Sequence, residues 1–184
     1  MARIYLVTLR RLNRALAKVI SELDDHGLWD DRLSKIDVYL VPIGGLAYGW
    51  CWYGASGDIC IPAVGVARLS HYICGSYVGL ADVLRHEYAH ALAHTHRGLL
   101  RSQCFREAFG ASHDSNCSPC AYDCRFHFTE YGATDASEDF AEAFMLYLRH
   151  KGRLPKGHDT KAKRAKWRFI KDLGRVISQG RLRW

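Results

Sequence analysis

No stretch of this chain approaches the roughly twenty consecutive apolar residues that a membrane helix needs, so the sequence predicts no membrane span. The opening Met1-Ala-Arg-Ile-Tyr-Leu-Val-Thr-Leu-Arg-Arg has an apolar run too short for a signal-peptide core, and no small-residue cleavage site follows it. This predicts a cytoplasmic protein, with signal-less secretion or delivery as the other route. Cysteine occurs seven times, an odd number. Without an export signal that count argues against a disulfide framework and favours reduced thiols or thiolate metal ligands. Internal repeats and low-complexity tracts are missing, and so is the shortage of hydrophobics that marks disorder: 48% of residues are apolar and 24% charged. At 184 residues the chain fits one domain with a core of its own.

Charge is unevenly placed. Thirteen of the twenty-six Lys and Arg fall between Arg149 and Trp184, against only two acids, Asp159 and Asp172. The remainder is mildly acidic, so the reading divides the chain into a body, 1–154, and a basic helical tail, 155–184.

Along the body, Arg3 to Thr8 reads as a short strand and Arg10 to His26 as an amphipathic helix stopped by Gly27. Ile36 to Val41 reads as a buried strand ended by Pro42. Ala47 to Tyr53 and Asp58 to Ala63 read as a hairpin about Gly54-Ala-Ser-Gly57. A long helix is expected from Ser76 to about His96, with Gly98 as its stop. A Cys-rich insert, about 99–130, lacks clear periodicity. Helices are expected again over Asp135 to His150 and Thr160 to Ser178.

The long helix carries His86-Glu87-Tyr88-Ala89-His90, an H-E-x-x-H pattern. Four residues make about one helical turn, so both imidazoles project from one face and suit a single tetrahedral zinc. Glu87, one residue beyond the first ligand, is placed to take a proton from a water rather than to bind metal. As a five-residue pattern alone it also occurs in unrelated helices, where such histidines are ordinary partly buried residues.

Two residues compete as third ligand. His96 stands at the metzincin position, but Ala93 replaces the glycine that turns the chain out of the helix there, and no Met-turn follows because Met145 lies inside a helix. Glu138 lies on the later helix one turn from Glu142, so that one carboxylate can bind zinc while the other holds a ligand histidine from behind. A plainer role for Glu138 is the third position of a capping box begun by Asp135.

The pair of motifs, H-E-x-x-H and then Tyr131-Gly-Ala-Thr-Asp-Ala-Ser-Glu138-Asp-Phe-Ala-Glu142-Ala-Phe144 some fifty residues on, resembles the catalytic domain of anthrax lethal factor and its gluzincin relatives. The resemblance covers the two motif helices and Tyr131. It implies an α+β, zincin-like fold: a twisted mixed sheet over an active-site helix, and a second ligand-bearing helix towards the C-terminus. It further implies zinc held by His86, His90 and Glu138, with Glu87 as general base, Tyr131 donating its hydroxyl to the oxyanion, and Glu142 supporting a ligand. In such enzymes an exposed antiparallel strand aligns the substrate by backbone pairing, and Ala47 to Tyr53 is the candidate.

Cys104, Cys117, Cys120 and Cys124 include one C-x-x-C and suit a second, structural zinc; free buried thiols or a disulfide are the alternatives. Cys51, Cys60 and Cys74 read as core residues. In the tail, Lys161, Lys163, Arg164, Lys166 and Arg168 suit nucleic-acid phosphates, although a solvated helix face with Trp167, Ile170, Leu173 and Ile177 docked on the body is the preferred reading. The function expected is a zinc endopeptidase acting on protein or peptide. The alternatives are a DNA-associated SprT-type protease, which expects a histidine as third ligand, and a non-catalytic zinc-stabilised module binding nucleic acid through its tail.

Overall fold

The structure, a computed structural model, describes residues 6–41, the backbone of 49–51, and residues 57–63, 79–115 and 121–184. Helix α1 (Leu9–Asp25) starts where Thr8, in extended conformation, accepts the Arg11 N–H on its Oγ1 at 3.3 Å. Its stripe Leu12, Val19 and Leu23 is buried. Gly27 turns the chain out at φ +68°, where a Cβ would also stand 2.9 Å from the Gly174 carbonyl oxygen.

A 3-10 turn (Leu33–Lys35) leads into a mixed sheet of three strands, β1 (Asp37–Val41), β2 (Gly49–Cys51) and β3 (Asp58–Pro62). β3 is central, with β1 parallel to it, Asp37 opposite Asp58, and β2 antiparallel, Trp50 opposite Ile59. The fold is therefore α+β with a mixed sheet, as expected. One strand differs in burial. β3 is buried from Ile59 to Pro62, but β1 lies at an edge with Tyr39 49% exposed, so the apolar run Val38 to Val41 is half-buried instead of core. Of the strand expected over Arg3 to Thr8, residues 3–5 lie outside the described ones, and residues 6–8 form no strand; Val7 only donates its N–H to Ala63 O at 3.1 Å. Most of the Gly54 to Gly57 turn also lies outside them.

Helix α2 (Leu80–Thr95) is buried along most of its length and packs between α1, the sheet and α5 (Ala136–Arg149). Its expected first residues, 76–78, lie outside the described ones. Arg85, 4% exposed, is held by Glu22 of α1 through two contacts of 2.7 Å and by Asp82, which locks α2 to α1 one residue before His86. The helix stops at His96, not at Gly98. Gly98 serves a different need, since a Cβ there would lie 2.7 Å from the Leu182 carbonyl oxygen. A single turn, α3 (Arg97–Leu100), follows.

The stretch expected to lack structure opens with a helix, α4 (Gln103–Phe109), capped by Ser102 and ended by Gly110 at φ +80°. Its Phe105 and Phe109 join Phe140 of α5 and Phe169 in an aromatic cluster with centroids 4.6–6.3 Å apart. Helix α6 (Lys161–Ser178) closes the core with Trp167, Phe169, Ile170, Leu173, Val176 and Ile177. The docking residues expected there are all buried. The basic patch is not a single surface, however, because Lys163 and Lys166 are 2% and 3% exposed. Lys166 Nζ sits 2.5 Å from Asp139 of α5 and donates to Phe126 O at 2.6 Å. Among the described residues no helix is long and apolar enough to cross a membrane.

Candidate metal centre

Two helices build the centre. His86 and His90 lie one turn apart on α2, and their Nε2 atoms are 3.2 Å apart. Glu138 comes from the first turn of α5, where Asp135 caps the helix by accepting the Glu138 N–H at 2.9 Å. The capping role falls to the Glu138 backbone, which leaves the carboxylate for the histidines. Its Oε2 stands 3.1 Å from His86 Nε2 and 3.6 Å from His90 Nε2.

These edges fit a metal ion. Ligand atoms about 2.1 Å from a tetrahedral ion stand about 3.4 Å from one another. The chemistry points the same way. His86 Nδ1 lies 2.9 Å from Oε1 of Glu142; an N–H donated to that carboxylate leaves Nε2 bare. His90 Nδ1 is 3.3 Å from Ser137 Oγ. Glu138 Oε2 is buried and receives no hydrogen bond despite the two nearby nitrogens. Three potential ligand atoms therefore converge on one point, an arrangement that a cation between them stabilises. His86, His90 and Glu138 are the group that could hold a metal ion among the described residues.

Electrostatics agree. Burial acts against a charge on His86, yet its contacts with Glu138 and Glu142 and the charges of Glu87 and Glu142 raise its pKa to about 10. Burial likewise opposes the Glu138 carboxylate, but His86 and His90 hold it well below the usual range. The pocket thus favours positive charge at its centre.

Glu87, 5% exposed, is near enough for its charge to act on both His86 and Tyr131. Tyr131 begins a 3-10 turn (Tyr131–Ala133) just before α5, with its ring 5.8 Å from that of His86. Burial first, then Glu138 and Glu87, push the Tyr131 pKa well up. It is a donor across the working range of pH. Glu142, behind His86, has no exposed surface.

His86, Glu87, His90, Tyr131, Glu138 and Glu142 thus come together. His96 does not. With Ala93 inside α2 the helix runs on to Thr95, and His96 turns away to contact Asp30 at 3.0 Å through Nε2 and Thr95 Oγ1 at 2.9 Å through Nδ1. Cys60 is buried as expected, Cys104 and Cys124 are exposed, and Cys117 and Cys120 lie outside the described residues. Two contributors carried no sequence signal of their own: Ser137 beside His90, and the Glu22–Arg85–Asp82 cluster that steadies α2. Only a prior placement of α5 over α2 would have drawn attention to Ser137. Among the described residues β2 is an outer strand of the sheet, beside α2, where a substrate strand was expected to dock. Compared with protein-family models, curated proteins and solved structures, the chain matches none.

Proposed function

We propose that this chain is a zinc-dependent endopeptidase of zincin type, holding zinc through His86, His90 and Glu138. The observation that supports this most is the convergence of two imidazole nitrogens and a buried carboxylate oxygen within 3.1–3.6 Å, with Glu142 orienting His86. Two nitrogens and one oxygen from three side chains suit zinc with a fourth position left for water or substrate. Zinc, when bound, supplies a Lewis acid that polarises a carbonyl and acidifies water.

The chain's own residues supply the remainder. Glu87 takes the proton of the attacking water and returns it to the leaving amine. Tyr131, kept protonated, donates its hydroxyl to the oxygen on which negative charge develops. Glu142 holds His86 in orientation, and β2, an outer strand of the sheet among the described residues, is where an extended peptide would pair. A site serving structure alone needs neither Glu87 nor Tyr131. The engagement of His96 with Asp30 removes the histidine that the SprT-type alternative requires.

Glu87→Gln tests the reading. Zinc-loaded wild type should cleave an unfolded protein substrate such as casein, and the variant should lose turnover while retaining one zinc at this centre, measured by metal analysis. Undiminished turnover in the variant removes Glu87 from the chemistry. A wild type that binds zinc and cleaves no peptide refutes the peptidase.

A further inference from the structure

Beside the metal centre lies a basic trough that shares only His90 with it. A cavity of about 270 Å³ begins at His90 and Ser137 and is walled by His94, Arg97, Arg101, His113 and Asp114. A second, of about 350 Å³, shares His94 and Arg97 with the first and adds Arg32 and Arg183. Four arginines and one carboxylate line the two spaces.

That carboxylate does not neutralise the trough. Asp114 is engaged by the Arg101 guanidinium and by His113 Nδ1 at 3.1 Å, and Arg97 donates to His94 Nδ1 at 2.8 Å, so one carboxylate stands against four guanidinium charges in the lining. The field is positive enough to act on a neighbour: after burial, the charges of Arg97 and Arg101 lower the His94 pKa. His113 Nε2, on the same wall, is buried with no hydrogen-bond partner.

Position gives the cavity its meaning. His90 is at once a metal ligand and a wall, so an occupant of the first cavity lies within one side chain of the reacting carbonyl. We propose that the trough is a specificity subsite that accepts an acidic side chain, Asp or Glu, at a residue flanking the scissile bond. The inference rests on the peptidase reading. Guanidinium forks match carboxylates in geometry as well as charge. Two small cavities give room for a carboxylate side chain among the arginines, whereas nucleic acid requires a run of phosphate contacts.

The test uses three hydroxamates on one dipeptide scaffold, differing in a Glu, Gln or Lys side chain, titrated into the full zinc-loaded chain. A hydroxamate anchors on the metal whether or not the protein turns over. The Glu compound should bind about five- to tenfold tighter than its Gln isostere, and Lys weakest. Arg97→Ala and Arg101→Ala should erase the preference and leave Gln binding as it was; both side chains are exposed, so the fold survives their loss.

Equal affinities for all three overturn the subsite and leave the peptidase reading intact. Selective binding without cleavage of any acidic peptide supports the subsite and overturns the peptidase. Failure of every hydroxamate to bind overturns both. Displacement of the Glu compound by a thymidine oligonucleotide but not by an acidic peptide overturns the proposal in favour of nucleic acid.

Discussion

Glu142 is two side chains away from any substrate, yet its position makes it a sensitive test of the centre. Its Oε1 accepts from His86 Nδ1 at 2.9 Å in a site with no solvent to replace it. Glu142→Gln should weaken zinc binding about 10–100-fold, because the amide can present its NH₂ to Nδ1 and favour the wrong tautomer; competition with a chromogenic chelator measures this. Tyr131→Phe should do the reverse, keeping zinc while slowing turnover on the order of 10²-fold. Equal turnover would reduce Tyr131 to packing against His86. Two pairs of this centre were legible in the sequence from helix spacing, four residues from His86 to His90 and four from Glu138 to Glu142, while Tyr131 came only from the resemblance. Ser137 was not legible, since a serine before a ligand has no distinguishing pattern until His90 is seen 3.3 Å away.

Among the elements, helices were read within a residue or two where an apolar stripe repeats and a cap residue precedes it, as Thr8, Asp135 and Thr160 do. The reading failed where the stripe is short. α4 spans only Gln103–Phe109, two turns with Phe105 and Phe109 as its buried anchors, too little for periodicity to separate it from the Cys-rich stretch around it. β1 failed for another reason: an apolar run does not say whether a strand is central or at an edge. The end of α2 supplies a prediction at this scale. His96 caps that helix and contacts Asp30 at 3.0 Å while 2% exposed. His96→Ala should therefore cost about 1–3 kcal/mol of stability in urea unfolding and leave zinc stoichiometry unchanged. Glu138→Ala should have the opposite profile, with zinc lost and a modest change in stability. Zinc loss confined to the His96 variant would replace Glu138 by His96 as third ligand.

At the scale of the whole molecule, charge suggested a boundary near Leu154 that packing does not respect. The basic residues of α6 are what composition records, but its inner face buries six large apolar side chains from Trp167 to Ile177 in the core shared with α4 and α5. Full burial of such side chains contributes about 1.5–3 kcal/mol each, together comparable to the whole stability of about 5–15 kcal/mol expected of a domain. α6 also supplies the cation of a buried pair, Lys166 with Asp139, at residues 4% and 2% exposed in their side chains. Asp139 follows Glu138 directly, so the tail helps to set the helix that carries Glu138. A chain ending at Leu154 should then be unfolded and unable to bind zinc, as circular dichroism and metal analysis would show. Because truncation removes much at once, Lys166→Met isolates the pair: it leaves the buried Asp139 carboxylate with His127 Nδ1 at 3.5 Å but without the lysine charge and should cost about 3–5 kcal/mol, while Lys166→Met with Asp139→Leu should recover most of that loss. A 1–154 fragment that unfolds cooperatively and keeps its zinc would restore the tail as a separate appendage, and equal stability of the single variant and wild type would remove the pair from the account.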